Sequence, residues 1–152
     1  MGTTKPPAPD LASALDRARV AGAKLGAVTD KLNRSLEEIE TELANLNLGV
    51  TAKVRMEVVQ FEHYDVIRNI RFGKFNQEWR LLYESGPEDD EENWSSGPLL
   101  NASREIRLLA IDHLPALIEE LVRTAETEIS TVTAKVNEVE SLARLVKMGV
   151  PR

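Results

Sequence analysis

The sequence predicts an α+β fold: a long antiparallel helical hairpin, coiled-coil-like, with a three-stranded antiparallel β-meander inserted between its arms. Three observations carry this reading. Apolar or small residues recur at alternating spacings of four and three in the first and last thirds of the chain, the period of a heptad seam. The middle switches to alternation with period two, the mark of half-buried strands. Between the last strand and the second helical arm lies a stretch of Gly, Pro, Ser and acids with no period at all.

The elements follow in order. Residues 1–9 contain Pro6, Pro7 and Pro9 and are expected to form a disordered tail. A single domain is expected over 10–149, which suits a chain of 152 residues. Asp10 can cap a helix over 10–48 by accepting a backbone N–H of the first turn. The seam of that helix reads Leu11, Leu15, Ala18, Gly22, Leu25, Thr29, Leu32, Leu36, Ile39, Leu43 and Leu46, and Gly49 stands where a left-handed residue closes a helix. Three strands are expected within 50–84. Val50 to Val58 alternates with Thr51, Lys53, Arg55 and Glu57. Val66 to Phe75 follows, with Gly73 read as a bulge, and Trp79 to Glu84 comes after an Asn76-Gln77 turn. Connections this short favour an antiparallel order.

An acidic loop is expected over 85–97, then a kinked helix over 98–148. Ser96 and Asn101 are its candidate caps, and Pro115 is the expected kink because it lacks a backbone donor. The seam of this arm is Ile118, Val122, Ala125, Ile129, Val132, Val136, Val139, Ala143 and Val146, closed by Gly149. Set antiparallel, the two seams fall opposite each other, Leu15 against Ala143, Gly22 against Val136 and Thr29 against Ile129.

Composition excludes several chemistries. There is no cysteine, so no disulfide framework, thiolate zinc site or cysteine nucleophile. His63 and His113 are the two histidines, too few for a three-histidine site. No phosphate-loop, nucleophile-elbow or HExxH pattern occurs. No catalytic, cofactor-binding or metal-ligating residue is therefore assigned, and no cofactor is expected. His63, beside Glu62 and Asp65, reads as a surface turn residue, and His113 as a packing residue. The net charge is −6, all of it attributable to residues 84–93, which hold six acids and no base. The run Glu88–Glu92 lacks the glycine and spacing of a calcium loop and reads as a solvated face.

Two surfaces remain. A second apolar stripe on the C-terminal arm includes Leu117, Leu121, Leu142 and Leu145, and these four are the candidate self-association residues. The expected assembly is a homodimer closing into a four-helix bundle. The segment Arg68–Arg80 mixes basic and aromatic side chains, and Lys53, Arg55, Arg71 and Arg80 form a candidate nucleic-acid face on the sheet. The aromatics there are also needed as core, because rings make up only 5% of the chain. The function expected is that of a non-enzymatic oligomeric interaction or scaffold protein acting through its helical bundle. The alternative is a nucleic-acid-associated protein using the basic sheet face. No run of residues is apolar enough to predict a membrane span or a secretory leader, and the expected location is cytoplasmic.

Overall fold

The computed structural model describes residues 10–149, so the expected tail over 1–9 lies outside the described residues. The fold is α+β, two helices and a four-stranded antiparallel sheet in the chain order α1 (Leu11–Asn45), β1 (Ala52–Gln60), β2 (Asp65–Phe75), β3 (Glu78–Pro87), β4 (Ser95–Pro98) and α2 (Arg104–Lys147). The chain divides into two units at Ile39/Glu40.

In the first unit α1 begins as expected. The Asp10 carboxylate accepts the Ser13 N–H at 3.1 Å, and its carbonyl accepts from Ala14. Leu11, Leu15, Leu25 and Val28 all stand at least half exposed. In the second unit α1 ends at Asn45, three residues before the expected end. Asn47 already has φ 52°, ahead of Gly49 at φ 66°, so two left-handed residues turn the chain toward β1.

The sheet is a meander in the order β1-β2-β3-β4. The expectation of three strands is therefore corrected to four. β4 pairs Ser95 with Ser85 and Pro98 with Leu82. Its four residues, Ser-Ser-Gly-Pro, carry no apolar alternation, which hid the strand among turn residues. The acidic segment is shorter than expected on both sides: β3 continues to Pro87, and Glu91–Asn93 forms a 3₁₀ turn capped by Asp90. Trp94 pins this segment down. Its indole N–H donates to the Pro87 carbonyl at 2.9 Å, and its ring lies over Gly86, where a Cβ would clash with it.

The β2–β3 hairpin turns through Asn76 and Gln77, both with positive φ, as a two-residue turn in this sheet requires. The bulge is not at Gly73, which pairs regularly with Arg80. It lies in β1, where Arg55 pairs with Asn69 and Glu57 with Arg68, leaving Met56 as the extra residue. The bulge shifts the phase of β1, so Val58 falls on the face of Lys53 and Arg55 instead of that of Val54, and it is exposed.

α2 packs on β1 and β2 through Ile106, Ala110, Leu114, Leu117 and Leu121, all buried. Ile70, Phe72, Leu81 and Leu82 supply the sheet's share of the core. The helix starts at Arg104, and its cap is Ser103, whose hydroxyl accepts the Ile106 N–H at 3.3 Å. Neither Ser96 nor Asn101 fills that role. The helix continues through Pro115 as one element. Gly149, at φ 74°, follows its last turn as expected.

The expected hairpin with an inserted three-stranded meander is corrected to two helices separated by a four-stranded sheet. Ile129, Val132, Val136, Val139 and Val146 on α2, like the seam positions at the start of α1, are exposed.

Candidate functional site

α2 carries two apolar stripes offset by one residue, about 100° around the helix. The first, Ala110, Leu114, Leu117 and Leu121, faces the sheet. Leu117 and Leu121 are 0% and 1% exposed, so they belong to the core and cannot form a self-association face. The sequence reading erred here because two stripes on one helix look alike until the sheet's position is known. A signal was present, however. Beyond Leu121 this stripe turns polar at Thr124, Glu128, Thr131, Lys135 and Glu138, because the sheet it covers has ended. Apolar residues return on it at Leu142 and Leu145, which are 60% and 63% exposed.

The second stripe behaves differently. Ile118, Val122, Ala125, Ile129, Val132, Val136, Val139, Ala143 and Val146 keep their spacing of four and three to the end of the helix. Ile129 and Val139 are 64% and 61% exposed, and no described side chain covers them. Helices held only by propensity are marginal in water, so a polar face would be the economical choice for an unpaired surface. With heptad letters running a to g, the a positions are Val122, Ile129, Val136 and Ala143. The d positions are Ile118, Ala125, Val132, Val139 and Val146. Outside the seam the helix is solvated, with the ion pairs Arg123–Glu120 at 2.8 Å and Lys135–Glu138 at 3.1 Å.

The sheet brings the four candidate basic residues together. The register places Lys53 opposite Arg71 and Arg80 opposite Gly73, so with Arg55 they share one face. Two of them are already engaged. Arg71 meets Glu84 at 3.6 Å, and the Arg80 guanidinium lies 3.4 Å from Glu40, a nearly buried carboxylate that also accepts the Leu81 N–H at 2.9 Å. Lys53 and Arg55 remain exposed. The cleft beside them, about 720 Å³, is lined by Lys53 and Arg71 but also by Glu84, Glu91 and Glu120, so its charge is mixed. The aromatics of the segment are spent on packing: Phe72 is buried and stacks on Trp79 at 5.6 Å, with the Lys74 ammonium 5.6 Å from the Trp79 ring. On the opposite hairpin end Phe61 stacks on Tyr64 at 5.2 Å, both exposed, with His63 exposed between them.

Among the described residues no group of three or more His, Asp or Glu side chains is placed to hold a metal ion. No described helix is long and apolar enough to cross a membrane. The chain matches no family model, no curated protein and no solved structure.

Proposed function

We propose that this protein is a non-enzymatic, homo-oligomeric interaction protein whose working surface is the seam of α2. The observation that carries the proposal is the contrast between its two stripes. The sheet-facing stripe turns polar as soon as the sheet ends, whereas the seam stays apolar for the rest of the helix in water. A heptad seam of that length is the surface that helices use to bind one another, and another copy of the chain supplies a matching seam by symmetry. Of the self-association residues expected from the sequence, Leu142 and Leu145 stay contact candidates and Leu117 and Leu121 belong to the core. The sheet then serves as a rigid base that fixes where the seam begins.

The test is solution mass by light scattering or sedimentation at micromolar concentration. The expected mass is a multiple of 16.9 kDa. Val136→Asp is expected to return it to a single chain with the β-sheet circular-dichroism signal intact. A wild-type chain that stays at 16.9 kDa at hundreds of micromolar overturns the proposal.

The alternative reading, nucleic-acid association, rests on the shared face of Lys53, Arg55, Arg71 and Arg80. Two of these cations already have carboxylate partners, which weakens it. Binding of an oligonucleotide that falls steeply with salt, and is lost in Lys53→Ala/Arg55→Ala, would favour that reading over self-assembly.

A further inference from the structure

We infer that the α2 seam assembles as a parallel, in-register, three-stranded coiled coil of identical chains. The inference rests on the self-association just proposed and adds orientation and number to it. Two independent features of the helix carry it, the charges that flank the seam and the branching of the side chains within it.

Orientation follows from charge. In a parallel pair each g residue lies beside the e residue five positions on in its neighbour. That sets Lys135 beside Glu140 of the next chain, and the remaining g–e neighbours, Leu121–Glu126, Glu128–Thr133 and Leu142–Lys147, contain no like-charged pair. The antiparallel arrangement that stacks the seam equally well is centred near Ala134, with Val122 over Val146, Ala125 over Ala143, Ile129 over Val139 and Val132 over Val136. It brings g beside g and e beside e. Lys135 then meets Lys135 once and Glu126 meets Glu140 twice, three like-charged contacts against the two favourable ones of Glu119 with Lys147. Packing alone does not choose between the two directions, and charge selects the parallel one. Lys135 is 71% exposed and held only by Glu138 one turn away, so it is able to swing to a neighbour.

Number follows from shape. Two-stranded parallel coils prefer β-branched residues at a and leucine at d, whereas isoleucine at both positions shifts the preference to three or four strands, and valine at d carries the same β-branch in place of leucine. The exposed seam holds no leucine at all. Val122, Ile129 and Val136 occupy a, and Val132, Val139 and Val146 occupy d. Leu142, at g and 60% exposed, widens the apolar stripe on the flank where a third helix would cover it.

The chain has no cysteine, so a single introduced one reports orientation cleanly. Full-length Val139→Cys, at an exposed position, is expected to cross-link to itself on oxidation. A mixture of Ile129→Cys and Val139→Cys chains is expected to give no mixed product. Sedimentation of the wild type is expected to give three times 16.9 kDa. A mixed Ile129→Cys/Val139→Cys product without self-linking of Val139→Cys overturns the parallel assignment, and a mass of two or of four chains overturns the number. Either result leaves self-association standing. A single-chain mass with no cross-link overturns both.

Discussion

Single side chains settle how the open edges of the sheet are closed. β4 covers β3 only from Leu82 to Ser85, so the Leu81 N–H lies beyond its end. The Glu40 carboxylate accepts that N–H and faces Arg80 at the same time. Removing a buried acceptor costs about 1–3 kcal/mol, because the donor it served stays dehydrated. Glu40→Ala is therefore expected to lower unfolding free energy by about that amount in a urea titration. Glu40→Gln keeps an acceptor for Leu81, gives up the charge of a largely buried ion pair with Arg80, and is expected to lose less than Glu40→Ala does. Gly86 poses the opposite problem. A methyl there would occupy the space of the Trp94 ring. Gly86→Ala is expected to expel the indole, lose its bond to Pro87 and cost about 1–3 kcal/mol, with a red-shifted tryptophan emission as the direct readout. A melt and spectrum identical to wild type would contradict the Trp94 packing.

At the scale of elements, the two stripes of α2 make a prediction that separates core from surface. Leu117 is fully buried against the sheet-bearing core and Leu145 is exposed on the same stripe. Leu117→Ala is expected to cost about 2–5 kcal/mol in chemical denaturation, and Leu145→Ala less than about 0.5 kcal/mol when the single chain is measured. Equal losses would mean that the sheet does not end where it is placed. The same pair shows what sequence can reveal. Both leucines sit at equivalent heptad positions, so no local signal distinguishes them. Only the polar run from Thr124 to Glu138 between them hints that the covering layer stops. The long helices and three of the strands were legible because their periods, near 3.6 and two, persist over many residues. β4 was not, since four residues of Ser, Gly and Pro acquire strand geometry only from their ladder to β3. The bulge at Met56 was equally hidden: one extra residue changes register without changing composition. Alternation along the strands suggests a shared face for the four basic residues, but the carboxylate partners of Arg71 and Arg80, Glu84 and Glu40, come from elsewhere in the chain and appear only with the fold.

For the whole molecule, stability and assembly become a single quantity. Up to Leu121, α2 is held by the sheet. Beyond it the helix has no described cover and depends on its own hydrogen bonds and a few exposed ion pairs. That segment is rich in Val, Ile and Thr, which favour a helix only weakly, and helices draw most of their stability from packing, so a lone chain would fray from Lys147 back toward Leu121 while the sheet and the first turns of α2 stay folded. If chains associate through the seam, each association event restores the frayed turns. Mass action then ties helicity to concentration, because a species that binds only in its folded form is stabilised by binding. Dilution from hundreds of micromolar to tens of nanomolar is expected to lower the helical signal at 222 nm while the tryptophan emission, set by Trp79 and Trp94 in the sheet and its loop, does not move. Amide exchange should show the same division, with protection lost after Leu121 on dilution and kept in β1–β3. Val136→Asp should reproduce the dilute state at every concentration. A helical signal and an exchange pattern independent of concentration, in the wild type and in Val136→Asp alike, would mean that the seam has no partner of its own kind, and the proposed assembly would fall with it.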